Sequence, residues 1–264
     1  QEAAVEIEAA RARGVDVAAD MYPYTAGGTG LEATIPSWAA DGGVDSLRAR
    51  IARPEVRERM KREVETGSEG WWNIVESSGG WDGIVLVNAR NAENARFEGM
   101  TIAQIAEETG EHPADAAWDL VAEGQGRVMA IYHMMSEDDV QWALQRPWTS
   151  IGSDAGAAMT PGVVDALGLP HPRSYGTFPR ILARYVRDTG TLTLEDAIRK
   201  MTSWPATRMG LERRGVIREG AWADITVFDL DRIEDRATYE EPVLFPAGIE
   251  YVLVNGVVVI EDGE

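Results

Sequence analysis

Apolar residues recur along this chain in two periods, helical and extended, and the two alternate. Ala3, Val5, Ile7 and Ala10 predict a helix over residues 1–13 that stops at Gly14. Val15–Met21 then reads as a short buried strand, closed by Pro23 of Tyr22-Pro23-Tyr24. Thr25–Gly30 holds three glycines in six residues and reads as a loop able to approach a ligand closely. No Lys-Ser/Thr pair follows it, which argues against a P-loop.

Residues 31–127 form a long intermediate region. Val44–Ile51 and Pro54–Glu65 read as highly charged helices with solvated faces. Trp71–Glu76 and Ile84–Asn88 read as strands around the Ser78-Gly79-Gly80 turn, with helices over Met100–Glu108 and Pro113–Glu123. The large aromatics here are expected in the core. Val128–Met134 is strand-like, Ser136 caps a helix to Gln145, and Trp148–Ser153 is the next strand. Helices are predicted over Phe178–Arg187 and Leu194–Met201, the second capped by Thr193. After Gly210 the pattern turns to β. Gly215–Gly220 reads as turn-strand-turn and Ala223–Asp229 as a strand. Ile249–Val254 should pair with Val257–Ile260 across Asn255-Gly256, a strong hairpin signal.

Composition narrows the chemistry. The 264 residues carry 44 acids against 25 bases, a net charge of −19, which argues against nucleic acid and anionic membranes as partners. At 44% hydrophobic the chain can bury a core, yet no apolar run reaches the length of a membrane span. No signal peptide is legible, and a cytoplasmic location is the expectation. There is no cysteine, hence no disulfide and no thiolate nucleophile or zinc ligand. His112, His133 and His171 lie far apart, in no HxH or HExxH spacing, so an all-protein metal site of the usual kind is not expected here. The chain opens inside a helix at Gln1 and stops directly after a strand, so both ends read as cut.

The candidate reactive group is Asp154. Trp148–Ile151 leads through Gly152-Ser153 to an acid at a strand exit, with Arg173 further on. In α/β barrels the carboxyl ends of strands face the active site. An aspartate after a small-residue turn also commonly caps a helix, and spacing alone leaves both readings open.

Six blocks occur in order: Asp20-Met-Tyr-Pro-Tyr-Thr-Ala-Gly-Gly28, Ser150-Ile-Gly-Ser-Asp154, His171-Pro-Arg-Ser-Tyr-Gly-Thr-Phe-Pro-Arg-Ile-Leu182, Lys200-Met-Thr-Ser-Trp-Pro-Ala206, Gly215-Val-Ile-Arg-Glu-Gly-Ala-Trp-Ala-Asp224 and Val254-Asn-Gly-Val257. Together they closely resemble the C-terminal half of the D-aminoacylases, the N-acyl-D-amino-acid deacylases of the amidohydrolase superfamily. The resemblance implies an α/β fold, the C-terminal part of a metal-dependent (β/α)8 barrel over residues 1–210. Val15–Met21 would be strand seven and Trp148–Ser153 strand eight, with an insertion at about 25–135 between them. Residues 211–264 would form part of a small β-sandwich. The implied activity is zinc-dependent hydrolysis of small-molecule N-acyl-D-amino acids by the full-length protein.

By the same resemblance Asp154 matches the aspartate that shuttles a proton from metal-bound water to the leaving amine, and it is a possible weak metal ligand. Arg173 matches the arginine that grips the substrate's α-carboxylate. Tyr22 and Tyr24 match the tyrosine element at the substrate's carbonyl or carboxylate end. Gly28 stands where some members have serine. The other metal ligands of the family would lie upstream of Gln1, which leaves the isolated segment expected to be inactive. Alternatives are a cyclic-amide amidohydrolase of hydantoinase or dihydroorotase type, and a non-catalytic binding or assembly fragment.

Overall fold

A computed structural model describes residues 2–67, 70–125, 128–156 and 169–264; Gln1, the start of the first expected helix, lies outside them. Eight strands are present among the described residues: β1 (Ala19–Met21), β2 (Ala26–Gly30), β3 (Ile84–Asn88), β4 (Met129–His133), β5 (Thr149–Ile151), β6 (Ile225–Phe228), β7 (Ile249–Val254) and β8 (Val257–Ile260). They form three small sheets, and the chain divides into two compact units.

One unit comprises residues 2–24, 136–156 and 172–264 of the described chain. Its first sheet pairs β1 with β5 in parallel, Ala19 opposite Thr149, Asp20 opposite Ser150 and Met21 opposite Ile151. The strand expected over Val15–Met21 is therefore shorter, and it is half-buried rather than buried. Val15 and Val17 close a local turn instead, and the partner strand is itself only three residues long. The helix Glu137–Leu144 leads into β5, its first turn capped by the Ser136 hydroxyl, which accepts from Asp139 N at 3.1 Å. Val140 and Leu144 bury against Ile151, Ile181 and Tyr185.

The fully buried Lys200 anchors the entry to β5, its Nζ donating to the Thr149 carbonyl at 3.0 Å and to that of Arg146 at 2.5 Å. The helix expected from Phe178 begins five residues earlier. It runs over Arg173–Arg180 and continues as a π-helix over Ile181–Asp188. A six-residue helix at Ser203–Arg208 follows the expected Leu194–Met201 helix, and the sequence pattern had not indicated it.

In the same unit β6, β7 and β8 form an antiparallel sheet. Asn255 and Gly256 both take positive φ, 52° and 81°, as a two-residue hairpin turn requires. Gly215–Gly220, expected to hold a strand, is irregular, with Ile217 87% exposed. Without a buried face, its alternation has nothing to pair against.

The other unit comprises Thr25–Met135 and, further along, 169–171 among the described residues. Its sheet has the order β2-β4-β3, all antiparallel. The glycine-rich Thr25–Gly30 segment is thus mostly strand, not loop. Five cross-strand pairs with β4 supply the order that glycine lacks on its own. Trp71–Glu76, expected as a strand, instead opens a short helix at Ile74–Ser77. The Asn73 side-chain oxygen Oδ1 accepts from Val75 N at 3.2 Å and Glu76 N at 3.3 Å, and this local bonding wins over the apolar run. The helix Ile102–Thr109 starts with a reciprocal Thr101–Gln104 capping box and ends at left-handed Gly110. Trp118 and Tyr132 are fully buried in the core, as expected of the aromatics, but Trp72 is 63% exposed.

Candidate active site

Parallel pairing brings the ends of β1 and β5 together, so the residues that follow each strand leave the sheet at the same edge. After β1 comes Tyr22-Pro23-Tyr24, and after β5 come Gly152, Ser153 and Asp154. The Gly152 amide still bonds the Met21 carbonyl at 3.0 Å, which keeps the two exits in step. Inside the sheet the Ser150 hydroxyl donates to Asp20, tying the strands side chain to side chain.

Asp154 has a left-handed backbone, φ 48°, a conformation aspartate tolerates better than most residues. Its side chain is 69% exposed. Arg173, at the first turn of the Arg173–Arg180 helix, clasps it twice. Arg173 Nε donates to the Asp154 carbonyl oxygen at 2.9 Å, and Nη2 reaches the carboxylate Oδ2 at 2.9 Å. The guanidinium lies 4.8 Å from the centre of the Tyr22 ring, in cation–π range. Burial raises the pKa of the Tyr22 hydroxyl, with Arg173 opposing the rise and Asp154 adding to it, so the phenol stays protonated and able to donate at neutral pH. Asp154, Arg173 and Tyr22 thus make one contiguous polar cluster: an exposed carboxylate, a planar cation and a protonated phenol.

Two turns along the same helix a second cluster forms. Arg180 lies over the Tyr24 ring at 4.7 Å, pairs with Asp235 at 3.2 Å, and donates through Nε to the Pro23 carbonyl at 2.8 Å. The Tyr24 hydroxyl donates to Asp235 Oδ2 at 3.3 Å. Burial, reinforced by Asp235, pushes the Tyr24 hydroxyl far above its ordinary range. Burial also raises the Asp235 carboxyl, with Arg180 opposing.

The model of the amidohydrolase family matches residues 124–260, just over half of the chain. The chain belongs to the amidohydrolase family. It is 38% identical over 250 residues to an N-acyl-D-glutamate deacylase of Alcaligenes xylosoxydans xylosoxydans, an alignment that covers 95% of this chain and 40% of that protein. Among solved structures it is similar to the N-acyl-D-glutamate deacylase of Bordetella bronchiseptica, complexed with zinc and a phosphonate mimic of the tetrahedral intermediate. The TM-score is 0.69 at 33% identity, covering 99% of this chain and 44% of that one. It is likewise similar to a D-aminoacylase, with a TM-score of 0.70 at 33% identity, covering all of this chain and 43% of that structure. The chain therefore spans about two-fifths of the length of the relatives it matches. Its α/β architecture is that of an amidohydrolase domain.

Of the residues singled out in sequence, the fold brings Asp154, Arg173 and Tyr22 together. It places Tyr24, only 2% exposed, in the buried cluster with Asp235. Arg180 and Asp235 were not singled out. Arg180 stands in the same ordered block as Arg173, and the structure puts both on one helix, seven residues apart; Asp235 had no such signal, since only the tertiary fold brings it there. His112 and His171 serve structural roles. His112 caps the Pro113–Glu123 helix, and His171 Nε2 bonds the Ala26 carbonyl at 2.9 Å. Among the described residues no group of three or more His, Cys, Asp or Glu side chains could hold a metal ion, and no helix is long and apolar enough to cross a membrane.

Proposed function

We propose that the whole protein hydrolyses the amide bond of N-acyl-D-amino acids, giving a carboxylate and a free D-amino acid. The observation that carries this reading is the Asp154–Arg173–Tyr22 cluster at the carboxyl ends of adjacent parallel strands, in a chain 38% identical to an N-acyl-D-glutamate deacylase. In this reading β1 and β5 are the seventh and eighth strands of a (β/α)8 barrel spanning residues 1–210. The segment at about 25–135 is an insertion between them, and residues 211–264 belong to a small β-sandwich.

Arg173 binds the α-carboxylate, for which a planar two-pronged donor is better suited than a point charge. Its guanidinium spends two donors on Asp154 in this structure, so an incoming carboxylate exchanges with that of Asp154. Asp154 then accepts a proton as the oxygen of the attacking water bonds to the amide carbon. It returns that proton to the nitrogen as the carbon–nitrogen bond breaks. Tyr22 donates to the substrate's carbonyl or carboxylate oxygen. Tyr24 keeps its hydroxyl on Asp235 and supports the turn from beneath.

Zinc is carried over from the homologous structure as part of this proposal. In this reading Asp154 would be at most one of the three or four ligands that such a site needs. The proton transfers use Asp154 alone. The isolated chain is expected to retain no stoichiometric zinc after gel filtration and to show no turnover.

The test is a panel of N-acetyl-D-amino acids, their L-enantiomers and cyclic amides, assayed with the full-length protein. Turnover of the D-series supports the reading. Turnover of the cyclic compounds alone would overturn it.

A further inference from the structure

The Arg173–Arg180 helix presents two arginines seven residues apart, and each meets the same kinds of partner. Arg173 lies over Tyr22 and pairs with Asp154, whereas Arg180 lies over Tyr24 and pairs with Asp235. The first set is open, its aspartate side chain 69% exposed; the second is closed, with that of Asp235 only 5% exposed. Arg180 also holds the carbonyl of Pro23, the residue between the two tyrosines. Asp235 is fixed in turn, since its Oδ1 accepts from the Ala237 amide at 3.2 Å. Between the two arginines the helix carries Gly176, where a Cβ would collide with Asp235 Oδ1. The helix can approach Asp235 this closely because that position lacks a side chain.

We propose that Asp235 is a positioning residue for the hydrolysis, holding Arg180 so that the Tyr22-Pro23-Tyr24 turn and the Arg173 helix stay in register for the substrate carboxylate. The inference rests on the reading under Proposed function and extends it to a residue outside the exposed cluster. Arg180 is half-buried, its side chain 22% exposed, and once it loses its carboxylate partner it moves toward water, because an uncompensated charge is costly to keep out of solvent. Arg180 joins the helix to the middle of the turn, and its movement releases the Pro23 carbonyl. Tyr22 and Arg173, one step away along the turn and the helix, lose their mutual alignment.

In the full-length protein, Asp235→Asn should raise KM for an N-acyl-D-amino acid about tenfold with kcat little changed, as expected when ground-state binding weakens by about one charged hydrogen bond. Arg180→Lys should do the same, since it keeps the charge but loses the fork. Tyr24→Phe, a milder variant that retains the ring, should shift KM in the same direction. A purely structural role would lower the active fraction, so that kcat falls while KM stays put; that result overturns the proposal. A crystal structure of Asp235→Asn supplies an arm independent of turnover. Displacement of Arg173 from Asp154 supports positioning even if the substrate class is wrong, and an unmoved Arg173–Asp154 pair refutes it.

Discussion

Replacing Gly176 by alanine adds one methyl group and sets two effects of opposite sign against each other. In an open helix the change is favourable, because glycine costs about 1 kcal/mol relative to alanine. Here the new methyl would collide with Asp235 Oδ1 and stand 2.6 Å from the Tyr24 hydroxyl. Neither neighbour can yield cheaply: Tyr24 is 2% exposed, and Asp235 is held by Arg180 and by the Ala237 amide. Overpacking of this kind costs about 1–3 kcal/mol, against which the propensity gain of about 1 kcal/mol is set. The expected outcome is net destabilisation of up to about 2 kcal/mol, read as a lower urea midpoint at unchanged m-value. In an Asp235→Ala background the penalty should shrink by about 1 kcal/mol or more, because the first collision is gone. Stabilisation of about 1 kcal/mol in the wild-type background, the open-helix result, would refute the close packing of helix against Asp235.

The remaining predictions concern the exposed cluster and the buried carboxyl. Asp154→Asn keeps the shape and removes the proton acceptor, so kcat should fall by about two to four orders of magnitude. The melting temperature should hold, because the side chain is largely exposed; near-normal kcat would sink the proton-transfer role. Arg173→Lys keeps the charge but not the two-pronged geometry, and KM should rise about tenfold or more, the equivalent of about 1.5–3 kcal/mol for a lost charged hydrogen bond. For Asp235 the sign follows from its raised carboxyl. The folded state holds the proton more tightly than the unfolded one, so stability falls as pH rises from about 3.9 through the raised value. The stability of wild type relative to Asp235→Asn should decline over that window in acid urea titrations, and a difference that grows with pH would contradict it.

Local signals predicted the elements they govern. Ser136, Thr101 and Thr193 cap the helices expected behind them, and Asn255-Gly256 turns the hairpin, because each acts through bonds to its own neighbours. The misreadings arise where a more distant or competing partner decides. Ala26–Gly30 is a strand only because β4 lies beside it. The Ile74–Ser77 helix turns on a single cap from Asn73, within a stretch whose aromatic and β-branched residues suggested a strand. The Arg173–Arg180 helix begins five residues before the expected start and carries Pro179 inside it. At the candidate site Asp154, Arg173 and Tyr22 were legible from ordered motifs. Asp235 was not, since its role comes from an ion pair to Arg180, 55 residues away in the chain.

The central claim is that Arg173, beside Asp154 and Tyr22, receives the α-carboxylate of an N-acyl-D-amino acid. It is tested most directly by comparing an N-acetyl-D-amino acid with its α-carboxamide in the full-length protein, for wild type and Arg173→Ala. Wild type should prefer the carboxylate by a factor of about ten or more in kcat/KM, and Arg173→Ala should erase most of that preference. An undiminished preference in Arg173→Ala would contradict the account.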